Sequence, residues 1–134
     1  LNKQSGLLGI SEQSNDMRTL VELADEGDQQ CALALDIFCF RLAKYIAAML
    51  VSLPSLDALI FTGGIGENAA IVREKTIAHL SVINFHIAKE ANNSADNEAG
   101  ALISAEGSHR ILVIATNEEK MIVEDTLNIV AKSL

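Results

Sequence analysis

The stretch Leu59–Ala70 (LIFTGGIGENAA) constrains this chain more than any other: an apolar run empties into three glycines within four residues, and a helix-forming segment follows. A strand that ends in such a turn aims backbone N–H groups, with the positive end of the next helix behind them, at whatever sits over the turn. Glycine permits positive φ and close backbone approach, so Gly63, Gly64 and Gly66 suit a ligand cradle. Three readings compete: a strand-to-helix turn with no ligand, a dinucleotide fingerprint, and a nucleotide pocket of another design. Gly64–Ala69 matches G-x-G-x-x-A literally. That fingerprint, however, follows the first strand of its fold and expects an acidic residue about 20 positions on. Here a long helical pattern precedes the glycines, and Asn84, Phe85 and His86 stand at that distance. A P-loop fails too, because no Lys-Ser or Lys-Thr follows the glycines.

The surrounding pattern predicts an α/β layout. Leu1–Asn15 reads as loop with several helix caps in SEQSND. A short helix is expected from Asp16, with Met17, Leu20, Val21, Leu23 and Ala24 on one face, and Glu26-Gly27-Asp28 stops it. Asp28 can cap a helix over Gln29–Leu53, whose polar residues Gln29, Gln30, Asp36, Arg41 and Lys44 keep to one side; Pro54 ends it. Leu56–Thr62 then reads as a buried strand and Ala69–Leu80 as a helix whose apolar residues do not gather cleanly. Val82–Ile87 is a predicted strand, Ala88–Gly100 an exposed loop with a helical turn, and Leu102–Ser104 a short strand. Arg110–Thr116 is a further buried strand, and Asn117–Leu134 an amphipathic helix.

Composition removes several function classes. The formal charge is −8 and no block of basic residues stands out, so the phosphate backbone of nucleic acid would be repelled. The most apolar stretch, Cys31–Leu53, is broken by Asp36, Arg41 and Lys44, which argues for a core helix rather than a membrane span. Cys31 and Cys39 lie about 12 Å apart along that helix, too far to bridge, and read as buried small apolar side chains in a reducing setting. His79, His86 and His109 show no metal spacing, and Tyr45 and the phenylalanines are core candidates. The chain opens on Leu1 and its first methionine is Met17, so an N-terminal part is expected to be missing.

FTGGIGENAA, with LNKQSGLLGIS and NDMR before it and IATNEE after it, resembles the C-terminal part of the acetate kinase family over essentially the whole chain. The resemblance implies one lobe, residues 1–134, of an actin-like ATPase: a ribonuclease-H-like mixed sheet with flanking helices. It implies ATP-dependent phosphoryl transfer to acetate, giving acetyl phosphate and ADP with Mg2+. It also implies an N-terminal domain, homodimerisation and a cytoplasmic setting. Asp16, Met17 and Arg18 resemble the family's Asp-x-Arg segment at the nucleotide pocket. Gly64, Ile65, Gly66, Glu67 and Asn68 resemble its second nucleotide-binding segment, and a glutamate of Thr-Asn-Glu-Glu its magnesium-linked carboxylate. No residue here is assigned a catalytic role. A propionate or butyrate kinase, a non-catalytic actin-like nucleotide-binding module and, more remotely, a Rossmann oxidoreductase are the rival readings.

Simpler accounts stand beside these. Asp16 is well placed as a helix cap, and Arg18 as a surface charge. Glu67 would repel a phosphate if it pointed inward, so it is expected to face ribose or a cationic partner, or to stabilise a first helical turn. Ile65 suits an apolar wall for adenine, and Gly63 serves the turn. Thr116 and Glu119 fit a capping box, T-x-x-E, which leaves Glu118 the freer carboxylate and the magnesium candidate.

Overall fold

The computed structural model describes residues 5–95 and 100–132. Two aspartates start the helices that the sequence marks. Asp16 accepts the Arg18 amide at 2.9 Å and opens α2 (Met17–Asp25); Asp28 accepts the Cys31 amide at 2.8 Å and opens α3 (Gln29–Leu50). Between them Gly27 turns the chain at φ 100. The expected loop before Asp16 holds a further short helix, α1 (Leu7–Ser11), beyond the four N-terminal residues that lie outside the description. The buried Ser11 hydroxyl closes it, donating to the Ser14 carbonyl at 3.0 Å and accepting the Gln13 and Ser14 amides at 3.3 Å. Such local side-chain bonds stabilise a single turn that no hydrophobic period announces.

After α3 the chain enters β1 (Ala58–Phe61), which runs parallel to β3 (Arg110–Val113) in the register Leu59↔Ile111 and Phe61↔Val113. The two-residue β2 (Ala101–Leu102) pairs antiparallel on the other side of β3, so the mixed sheet has the order β1-β3-β2. The crossover from β1 carries α4 (Gly63–Asn68), α5 (Ala70–Ala78), a 3-10 turn at Ser81–Ile83 and α6 (Lys89–Asn93). One core lies between α3, α5 and the sheet, where Ala43, Phe61, Ile77, Phe85, Ile111 and Val113 meet. A second joins Met17 of α2 to Leu35 and Cys39 of α3 and Val72 of α5. Both cysteines are buried and unbridged, as expected, and burial pushes both thiols up from their ordinary pKa.

Three further expectations change. Among the described residues the strands are covered on one face only: Ile60 is 50% exposed, Leu102 is exposed, and both flank Leu112 in one cross-strand row. A short apolar run announces a strand but not which of its faces this segment itself covers. Val82–Ile87 is not a strand, because Asn84 takes the left-handed conformation (φ 60) and its side-chain amide donates to the Gly107 carbonyl at 3.0 Å. Phe85 alone plunges into the core while Val82 stands exposed, and Ile87 keeps one isolated bridge to Ser104. Finally, α7 (Glu118–Lys132) is capped by Asn117, whose Oδ1 accepts the Lys120 amide at 3.0 Å, and not by a Thr116–Glu119 box. Its side chains from Glu119 to Ala131 are exposed. Among the described residues no helix is long and apolar enough to cross a membrane.

Candidate nucleotide site

The glycine segment is a helix rather than an open loop. Three glycines in six residues are a poor helix sequence, each disfavoured by about 1 kcal/mol relative to alanine. Yet Gly63–Asn68 forms α4, entered through Gly63 at φ 71. The carboxylate Oε1 of Glu67 accepts the Gly63 amide at 2.8 Å from within the same turn, and Asn68 donates its side-chain amide to the Gly64 carbonyl at 2.9 Å. The glycines do different work. A Cβ on Gly66 would lie 3.3 Å from the Phe61 carbonyl carbon, so Gly66 lets α4 press against the end of β1. A Cβ on Gly64 would meet nothing within 4 Å and would project into open space.

That open space is a cleft of about 790 Å³. Its walls are Asp16, Met17 and Arg18 on one side and Gly64, Ile65 and Asn68 on the other. Two segments far apart in sequence thus face each other across one hollow. Met17 is buried and forms its floor, continuous with the core of Leu35, Cys39 and Val72. Ile65 is 38% exposed and offers an apolar flank. Asp16 and Arg18 form a bidentate pair at the rim, with Nη2 to Oδ2 at 2.7 Å and Nε to Oδ1 at 3.2 Å. The Arg18 guanidinium and amide hold the Asp16 carboxyl down at a pKa of about 2, so the pair is fully ionised at neutral pH. The carboxylate therefore presents acceptor lone pairs without a net charge beside it, which suits hydroxyl groups better than phosphate. A separate hollow of about 300 Å³, lined by Leu7, Ile10, Phe38, Leu42 and Tyr45, has Arg41 as its one charged group among the described residues and, among them, no opposed polar groups to orient a ligand.

Gly66 and Glu67, expected at the ligand, do not line this cleft. Besides the Gly63 amide, Glu67 accepts the Thr116 amide at 2.9 Å and the Thr116 hydroxyl at 3.0 Å. These Thr116 bonds, with the Gly63 amide, hold its carboxyl below the usual glutamate range. Glu67 is thus a clasp between the glycine turn and the segment leaving β3. It also withdraws Thr116 from the expected capping box, and Asn117 takes over that cap. The side chain of Glu118 lies outside the described residues. Glu119 is exposed, and among the described residues no group of three or more His, Cys, Asp or Glu side chains gathers around one point. The donors near the end of β3 are oxygens, the type that Mg2+ accepts, and one carboxylate with waters and phosphate oxygens satisfies that ion.

Sequence reasoning missed Arg73 and Asn92, and it missed the roles of Thr116 as a donor to Glu67 and of Asn117 as the cap of α7. For Arg73 a signal existed: the poorly segregated pattern of Ala69–Leu80 arises because Arg73 and Thr76 sit on the buried face of α5 beside Val72 and Ile77. His79 packs edge-on against Phe40 and His109 tilts against Phe85, in keeping with structural roles.

This arrangement of mixed sheet, flanking helices and opposed cleft walls belongs to the actin-like ATPase fold. The chain belongs to the acetokinase family, whose sequence profile matches residues 1–124. It is 51% identical to an acetate kinase of Stutzerimonas stutzeri over 127 residues, which are 95% of this chain and 32% of that protein. Its backbone superposes on a propionate kinase from Francisella tularensis with a TM-score of 0.84 at 48% identity, covering 91% of this chain and 30% of the other. The corresponding values for the Porphyromonas gingivalis acetate kinase are 0.85 and 32%, over 96% of this chain and 32% of the other. The chain therefore spans about a third of the length of these relatives.

Proposed function

We propose that residues 1–134 are the nucleotide-holding C-terminal lobe of an acetate kinase, an enzyme that moves the γ-phosphoryl group of ATP to a carboxylate oxygen of acetate and releases ADP. The observation that carries this reading is the convergence of Asp16-Met17-Arg18 and Gly64-Ile65-Asn68 on one cleft. In that cleft Ile65 flanks the adenine, the Asp16 carboxylate accepts from ribose hydroxyls, and Arg18 stacks or pairs through its flat guanidinium. Gly64 keeps the wall low enough for the ligand to lie against backbone. Gly66 and Glu67 belong to the nucleotide segment through the shape they impose on α4. Glu118 is the carboxylate proposed to hold Mg2+, which when bound neutralises phosphate charge.

Phosphoryl transfer depends on positioning and charge neutralisation. A lobe that grips the nucleotide completes a site only when a second lobe brings the acceptor and further cations, and closure then becomes part of the reaction. The uncovered row of Ile60, Leu112 and Leu102 and the exposed apolar residues of α7 leave room for an N-terminal domain and for a second copy in a homodimer. The whole enzyme is proposed to be cytoplasmic. The test is a coupled assay of the full-length protein with acetate, propionate and butyrate, and of the purified 134-residue segment. Acetate is expected to give the highest kcat/KM and the segment no turnover. A preference for propionate would transfer the reading to a propionate kinase, in line with the similarity to the Francisella tularensis protein. Absence of any ATP binding would sink it.

A further inference from the structure

Four polar residues are buried in the described structure, namely Ser11, Arg73, Thr76 and Asn92. Two of them, Arg73 at 2% exposure and Asn92 at 1%, form a single network directly behind α4. Arg73 Nη1 donates to the carbonyls of Gly66 at 2.8 Å and Glu67 at 2.9 Å. Its Nε donates to Asn92 Oδ1 at 2.7 Å, and its Nη2 to the Asn92 carbonyl at 2.8 Å. Asn92 in turn donates its side-chain amide to the Ala70 carbonyl at 2.9 Å. Every one of these acceptors of Arg73 is a neutral carbonyl oxygen. Burial lowers the Arg73 pKa from its ordinary value, yet a guanidinium stays protonated in proteins.

A buried cation with only carbonyl acceptors is an expensive way to fill a core unless it fixes something. What it fixes here is the last turn of α4 and the last turn of α6, whose terminal carbonyls are the groups that a helix leaves unsatisfied and that a cation complements. α4 needs the help, because its three glycines leave the backbone free to adopt other shapes. Glu67 holds its first residue and Arg73 its last carbonyls, so the segment bearing Gly64, Ile65 and Asn68 is clamped at both ends from outside the cleft.

We infer that Arg73, supported by Asn92, is a positioning residue for nucleotide binding: it sets α4 at the height and tilt that make Gly64 and Ile65 a wall for the nucleotide. The inference rests on the acetate kinase reading of the cleft. Its test uses the full-length enzyme carrying Arg73→Lys, with Asn92→Ala as the milder variant that keeps the guanidinium and its Gly66 and Glu67 bonds. Lysine retains the charge but not the fork that reaches α4 and α6 together. On folded enzyme, matched by circular dichroism and active-site titration, the KM for ATP should rise about fivefold or more in R73K and about three- to fivefold in N92A, while the KM for acetate stays within about twofold. A role in core stability alone would lower the melting temperature and the folded fraction without dividing the two KM values.

If R73K does not fold, N92A decides the matter by the same split. An ATP KM within about twofold of wild type in the folded variant would overturn the clamp. Calorimetric titration of the wild type with ATP separates the levels: wild-type binding that the variants leave untouched defeats this inference alone, whereas a wild type that binds no ATP defeats the reading beneath it.

Discussion

Helices α4 and α7 are held by opposite means. α4 has six residues, three of them glycine, and its shape comes from partners outside the helix: the Glu67–Thr116 clasp, the Arg73 clamp and the contact of Gly66 with Phe61. α7 has fifteen residues rich in helix formers, a local Asn117 cap and an i,i+4 Lys120–Glu124 pair at 3.7 Å, and its described side chains from Glu119 onward are exposed. One segment has little propensity and much tertiary restraint, the other the reverse. The contrast teaches where this molecule concentrates its precision. The wall of the cleft is over-determined, whereas α7 carries exposed apolar side chains.

The sharpest way to break the contrast is amide hydrogen exchange. In the 134-residue segment, α7 amides should exchange at least about a hundredfold faster than those in the middle of α3, since local opening needs far less free energy where no core is disrupted. Equal protection would remove the distinction. Next in size, Gly66→Ala should lower stability in urea by about 1–3 kcal/mol, because its methyl meets backbone at the end of β1. Gly64→Ala should do the opposite, leaving stability unchanged or raising it by up to about 1 kcal/mol through better helix propensity. In the full-length enzyme the same methyl should raise the KM for ATP. A loss of stability in G64A equal to that in G66A would mean that the two glycines share one role.

A smaller effect separates the clasp from a ligand contact. Because the Glu67 carboxyl titrates below its ordinary value of 4.5 in the folded state, its contribution is complete above about that pH and fades as pH falls through the folded pKa. Thr116→Val removes the hydroxyl donor, so the folded pKa should move up toward the ordinary value, measured by carbon NMR of the carboxyl. No movement would mean that the Thr116 hydroxyl does not hold Glu67 and that the backbone amides do. Smallest of all, Leu127→Ser on α7 should change the stability of the segment by no more than about 0.5 kcal/mol. The same change in the full-length enzyme should cost more if that side of α7 is buried there.

What could be read from the sequence follows the same divide. Asp16 and Asp28 cap their helices as their spacing predicts, since a cap is a bond between near neighbours. α3, β1 and β3 follow from hydrophobic runs, with Gly27 before α3 and Pro54 between α3 and β1. α4 was illegible as a helix because its restraints arrive from Thr116 and Arg73, and glycine content alone argues for a loop. The Thr116–Glu119 box fits the local pattern, but a carboxylate distant in sequence claims Thr116 instead. Val82–Ile87 alternates like a strand, and the 3-10 turn at Ser81–Ile83 with the left-handed Asn84 behind it breaks the pattern. At the cleft, the pairing of Asp16-Met17-Arg18 with Gly64, Ile65 and Asn68 followed from family resemblance. The division of labour among Gly64, Gly66 and Glu67 required the coordinates.

The two cysteines have a practical consequence. Cys31 and Cys39 are wholly buried and their thiols are held more firmly protonated than usual, so neither offers a ready thiolate to a maleimide. The segment therefore behaves as a nearly blank background for thiol labelling. A cysteine introduced at half-exposed Ile65 would place a fluorophore on the cleft wall and report nucleotide entry by light, without any need to remove the native thiols first.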